Sequence, residues 1–159
     1  MIRVEAAGDK IFRAGVTLAA PWRNGGVMSE ILVPVSFGEL LDKIAILQIK
    51  SERMHDAGKL ANVRRELDAL SATWLEHPAA DQDILELRAG LKAVNERLWD
   101  IEDDIRRCEQ RQDFGDEFVR LARAVYHEND ERASIKKQIN LALGSAYVEE
   151  KSYQDYRAP

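Results

Sequence analysis

The sequence predicts an all-α fold: an antiparallel bundle of about four long helices containing a coiled-coil-like hairpin. Three observations point there. Apolar residues recur at alternating steps of three and four along extended stretches, the longest being Ile84, Leu87, Leu91, Val94, Leu98, Ile101, Ile105 and Cys108, and this spacing keeps one helix face against a partner. Helix start and stop signals bracket those stretches. Only one short run, residues 31–35, has the β-branched apolar character of an extended segment.

Residues 1–27 show no sustained period and contain Gly8, Gly15, Pro21 and Asn24-Gly25-Gly26, so they read as a flexible tail ahead of a single helical domain over residues 28–159. Met28 is expected to be the natural start, because a Gly-Gly pair just upstream of a Met can be written in codons resembling a bacterial ribosome-binding site. The run Ile31-Leu32-Val33-Pro34-Val35 is confined to an edge strand or extended segment, since Pro34 lacks a backbone donor. Ser36-Phe37-Gly38-Glu39 is a capping box, in which serine and glutamate side chains satisfy free N–H groups at a helix start.

The first helix carries Leu40, Leu41, Ile44, Ala45, Leu47, Ile49 and Met54 around most of its circumference, so it is expected to be the buried one, ending near Asp56-Ala57-Gly58. The second has the stripe Leu60, Val63, Leu67, Leu70 and Trp74 and is broken by His77-Pro78. Asp81 or a neighbour caps the third, from about Gln82 to Arg111, some 45 Å long at about 1.5 Å per residue. The short connection pairs helices two and three as a hairpin. Asp113-Phe114-Gly115 turns the chain into a fourth helix with Phe118, Leu121, Val125, Ile135, Ile139 and Leu143, stopped by Gly144. Tyr147, Val148 and Tyr153 suit a short extended segment that pairs with residues 31–35.

Composition narrows the function classes. The net charge is -5, and the first 28 residues carry Arg3, Lys10, Arg13 and Arg23 against Glu5 and Asp9, so the acidic excess lies beyond them. Lys and Arg are interleaved with Asp and Glu throughout, without the concentrated basic face that neutralises phosphates, which argues against nucleic acid as a partner. No apolar run approaches the roughly 20 residues of a membrane span, and no signal-peptide pattern opens the chain; the expected location is the cytoplasm. Cys108 is the only cysteine, which excludes an intramolecular disulfide and four-cysteine zinc sites.

Candidate chemistry concentrates on the fourth helix. Continuing its stripe from Val125 puts Glu128 and Arg132 at seam positions, four residues apart and able to pair. With Tyr126, Asn129, Lys136 and Asn140 on the adjoining face, and Lys43 and Lys50 from the first helix, they offer cations and amides to a small anionic ligand such as a phosphate or carboxylate. The competing reading is a register-setting ion pair in a wet seam.

Asp100, Glu102, Asp103 and Asp104 lie on different sides of one helix and read as a solvated face. Glu52-Arg53-Met54-His55 is a single E-x-x-H, which His127 and Glu131 do not complete to the paired motif of di-iron bundles. No metal and no cofactor is implied. Cys108 holds a stripe position and reads as packing. The chain has no phosphate loop, nucleophile elbow or dinucleotide fingerprint, which leaves enzymatic activity an open question. Ile46, Trp22 and Trp99 are candidates for a partner surface, and long striped helices also suit a homodimer.

The runs ILVPVSFGELLDKIAILQIKSERM, KLANVRRELDAL, NERLWDIEDDIRRCE, DFGDEFVRLARAVYHENDERASIKKQIN and GSAYVEEKSY resemble a bacterial family catalogued only as a domain of unknown function, over about Met28 to Tyr156. The resemblance implies a gene setting near cell-surface polysaccharide genes and carries over no catalytic residues. LLDKIAILQIKSERM is also similar to the first helix of the all-helical chorismate mutases, but Ala45 stands where that pattern has an aspartate, and helices three and four have no counterpart. Two functions follow as expectations: a helical interaction or accessory protein for a protein partner in envelope polysaccharide synthesis, or a protein or enzyme binding an anionic sugar or carboxylate in a basic inter-helical pocket.

Overall fold

The computed structural model describes residues 31–152. The expected tail over residues 1–27, Trp22, the Met28 start and Tyr153 lie outside them. Four helices follow in order: α1 (Phe37–Arg53), α2 (Ala57–Leu75), α3 (Leu85–Arg111) and α4 (Asp116–Ala142), with a 3-10 turn at Pro78–Asp81 between α2 and α3. All belong to a unit that begins at Pro34. Each of α3 and α4 has 27 residues, about 40 Å at about 1.5 Å per residue. No described helix is long and apolar enough to cross a membrane.

The start and stop signals act mostly where they were expected. Ser36 caps α1, its Oγ accepting the Glu39 N–H at 3.2 Å; the glutamate, however, does not reach back to the cap but bonds Lys136 on α4. The expected end of α1 at Asp56-Ala57-Gly58 is corrected: α1 stops at Arg53, and Asp56 caps α2, its Oδ1 accepting the Lys59 N–H at 2.8 Å. Asp81 closes the 3-10 turn instead of capping α3, whose N-cap is Ile84. At the end of α3, Gln112 takes the left-handed conformation at φ 54° and passes its N–H to the Glu109 carbonyl, while Asp113 donates to Cys108, the paired bonds of a Schellman turn. Gly144, at φ 64°, does the same for α4.

The buried helix is α1, as its apolar circumference predicts. Leu41, Ile44, Ala45, Leu47 and Ile49 are buried, and α2, α3 and α4 all pack on it. Leu41 and Ile44 meet Trp74, Ala79, Ile84, Leu91, Val94, Ile139 and Leu143 in the main core cluster, each large side chain contributing about 1.5–3 kcal/mol on burial.

The expected α2–α3 hairpin is not formed. The pairs are α1–α2 and α3–α4, and α2 makes no close backbone approach to α3. The reason is α1 itself: with apolar side chains around most of its surface it accepts α2 on one side and the α3–α4 hairpin on another. The connector carrying the 3-10 turn, which sinks Ala79 into the core, is long enough to step across. Packed on a single helix, α2 keeps Leu60, Val63, Leu67 and Leu70 only half-buried.

Residues 31–35 are exposed and form no strand, and among the described residues no backbone hydrogen bond joins them to residues 145–152. The expected pairing is therefore not made. Pro34 offers no donor, and the Tyr147 carbonyl is taken by Ser145 Oγ at 2.8 Å.

Candidate functional site

Where α1 crosses the α3–α4 hairpin, a strip of buried polar residues lies beside the apolar core. Gly38 and Asp42 on α1, Asn95 on α3, and Lys136 and Asn140 on α4 are each under a tenth exposed. Glycine at position 38 lets the helices touch: a Cβ there would lie 2.7 Å from the Lys136 carbonyl oxygen. The closeness allows Asn140 Oδ1 to accept the Gly38 N–H at 2.7 Å, so a side chain of α4 satisfies one of the free amides at the start of α1. Asn140 Nδ2 is buried with no hydrogen-bond partner among the described residues.

One turn earlier, the Lys136 ammonium is 8% exposed and donates to Glu39 on α1 and to Glu149 at 2.7 Å, in the segment after α4. Burial pulls its pKa down, but the bonds to Glu149 and Glu39, with the nearby charge of Asp42, outweigh burial and hold it above the ordinary lysine value. Lys136 in turn holds the Glu149 carboxyl below the usual glutamate range. A further turn along, Arg132 is half-buried and its Nη1 donates to Asn95 Oδ1 at 3.4 Å, while Asn95 Nδ2 donates to Asp42 at 2.8 Å and to the Leu91 carbonyl at 3.0 Å. The result is a chain of polar contacts running from α1 through α3 to α4.

Arg132, Lys136 and Asn140 are thus brought together as their spacing on one helix predicts. Glu128 and Arg132 do not pair with one another. Glu128 takes Arg97 of α3 at 2.8 Å, and the same guanidinium reaches Glu131 at 2.8 Å, so Glu128 bridges α4 to α3, as Arg132 does through Asn95. Asn129 donates to the Val125 carbonyl at 2.8 Å, and its own carbonyl accepts Lys151 at 3.3 Å. Tyr126 lies on the outer face, its ring against His127 and its hydroxyl accepting Arg123.

The two α1 lysines stand apart from this group. Lys43 turns to α2, where Glu66 meets it at 2.7 Å, and Lys50 lies in the last turn of α1, at the other end from Glu39. The sequence does not mark Asp42, Asn95 or Glu149 as site residues, and it marks Gly38 and Glu39 only as part of the capping box. Asn95 carried the clearest signal: it continues from Leu91 at a step of four, so an amide shares the apolar face.

The other charged clusters are taken up by ion pairs. Asp100 accepts Arg53 from the end of α1, Asp104 accepts Arg107 and Glu102 accepts Arg106. Glu52 of the E-x-x-H accepts Lys92 at 3.0 Å. Among the described residues no three His, Cys, Asp or Glu side chains gather as a metal site. Cys108 is buried, beside Arg111.

Past Asp100, α1 no longer accompanies the hairpin. Residues 101–111 of α3 and the start of α4 form an arm about 16 Å long at about 1.5 Å per residue. Cys108 and Leu121 are buried along it, whereas Ile101, Ile105, Phe118 and Val125 are only half-buried. At its tip Phe114, 49% exposed, packs edge-on against Phe118, with Val119 beside them 52% exposed. Ile46 and Trp99 are half-buried.

No curated protein and no solved structure matches the chain. A model of a family of unknown function, DUF6165, matches residues 31–158. The chain, with its buried crossing and its two-helix arm, belongs to the DUF6165 family.

Proposed function

We propose that this is a helical interaction protein that uses the arm of its α3–α4 hairpin to hold a protein partner in envelope polysaccharide synthesis. The observation that carries the reading is the arm's exposed apolar end. Phe114 and Val119 face solvent over a stretch whose own core is half-open, and exposed apolar side chains clustered on a projection are the usual anchors of a protein contact. The setting in polysaccharide synthesis rests on the gene neighbourhood that the resemblance implies, and the cytoplasm is the location proposed with it.

The test is co-purification from the native host with the double variant Phe114→Ser, Val119→Ser. The wild type is expected to retain a polysaccharide-synthesis protein that the variant, still folded, loses. Equal retention by both contradicts the reading, and a concentration-dependent dimer abolished by the same variant replaces it with self-association.

A second reading, an anionic sugar or carboxylate held by Arg132, Lys136 and Asn140, is supported by a cation buried between helices. Against it stands the saturation of that cation by Glu39 and Glu149, which favours a structural role. A metabolite that raises the melting temperature of the wild type but not of Arg132→Ala would restore it.

A further inference from the structure

The segment after α4, residues 145–152, has no regular secondary structure and lies back along the helix. Charge fastens its second half. Glu149 meets Lys136 at 2.7 Å, Glu150 meets Lys137 at 3.1 Å, and Lys151 reaches the Asn129 carbonyl. Its apolar contacts lie at its start, where Ala146 and Tyr147, both largely exposed, line a shallow cleft with Phe37 and Trp74, and at the half-buried Val148. An extended strand of chain fastened by two neighbouring carboxylates on two neighbouring lysines is a contact that salt screens and that a second acidic peptide can imitate.

We propose that residues 145–152 are a displaceable acidic strap, occupying in cis the surface of α4 on which an acidic, extended segment of the partner protein docks. The complementarity is specific in kind. Lys136 and Lys137 take successive carboxylates, and Arg132, one turn away, meets the neutral Asn95 amide among the described residues and can take a third. Glu39 stays on Lys136 whichever segment is present, so the lysine remains charged and oriented when the strap leaves. In the free chain the strap shields these cations from other anions, and a partner pays for binding only the difference between its own carboxylates and Glu149 and Glu150.

The proposal rests on the interaction reading but not on the arm, so the two fail separately: Phe114→Ser with Val119→Ser tests the arm and leaves the strap intact. The experiment is backbone NMR relaxation on the full chain, with a synthetic peptide of residues 145–152 as probe. In low salt the wild-type amides of residues 147–151 are expected to be ordered, with order parameters near those of the helices, about 0.85. In 0.5 M salt (roughly a 4 Å screening length), or in Glu149→Gln with Glu150→Gln, they are expected to fall below about 0.6 while α1 and α4 are unchanged.

Added to that variant in low salt, the peptide is expected to shift the amides of Asn129, Lys136 and Lys137, and a peptide with both glutamates replaced by glutamine is not. A strap that stays ordered in the variant and in high salt overturns the displaceable contact. A strap that is released while the acidic peptide leaves α4 unmoved overturns the docking surface.

Discussion

The base and the free end of the α3–α4 hairpin are built from the same spacing of apolar residues, yet they differ in burial. At the base, Leu91, Val94 and Ile139 are 1% exposed or less because α1 lies against the hairpin. At the free end Ile101, Ile105, Phe118 and Val125, on the same stripes, are half-buried because, among the described residues, each helix has only the other there. A regular stripe therefore predicts that a helix has a partner face, but the number of helices meeting there decides how much of that face leaves water. The base is where the fold gains its stability, and the end is where surface remains for another molecule.

Substitutions that sharpen this contrast differ in size. The largest effect is expected at the base. Ile139→Ala removes a fully buried side chain from the junction of three helices and is expected to cost about 2–5 kcal/mol in urea unfolding. Gly38→Ala comes next. Glycine-to-alanine inside a helix normally stabilises by about 0.5–1 kcal/mol, but here the new methyl meets the Lys136 carbonyl at 2.7 Å; forcing α1 and α4 apart is expected to cost about 1–3 kcal/mol. Asn140→Ala, which leaves the Gly38 N–H buried without its acceptor, is expected to cost about 1–3 kcal/mol by the same measurement.

At the free end the expected effects are small. Phe114→Ser should change stability by no more than about 0.5 kcal/mol. If it costs as much as Ile139→Ala, the end is a core and not an open surface.

Acidification gives a further, smaller distinction between the strap and the crossing beneath it. Lys136 holds Glu149 below the usual glutamate range, so the strap's contribution is fully present above the unfolded value of about 4.3 and is lost as pH falls through the lowered value. The groups facing Glu149 are Lys136 on α4, Glu39 on α1 and its own neighbour Lys151. Release of residues 145–152 ahead of α1, followed by amide signals during an acid titration, is the expected order.

Much of the fold was legible because it depends on local signals. The capping serine at Ser36, the glycine at Gly144 and the stripe of α3 each act within a turn or two of their own position. The pairing of helices was less legible. A short connection favours neighbours in space, but α1 is apolar on two sides, and nothing local says that α2 and α3 will take different ones. The end of α3 was placed close to the observed turn although Gln112, not a glycine, adopts the left-handed conformation.

Of the polar site, sequence showed the half that lies on one helix. Arg132, Lys136 and Asn140 follow from their spacing. Their partners Gly38, Asp42 and Asn95 come from two other helices, and Glu149 lies beyond a turn, so only the packing reveals them. Lys43, equally basic, faces Glu66 because it lies on the side of α1 that α2 covers.

Native-state hydrogen exchange along α3 tests the central claim most directly. If α1 clamps the base and leaves the arm to two helices, amides of residues 91–98 and 132–140 should exchange only on global unfolding, as the slowest in the chain. Those of residues 101–111 should open earlier, with a lower free energy. Equal protection along the whole of α3, or opening of α1 before the arm, would contradict the account.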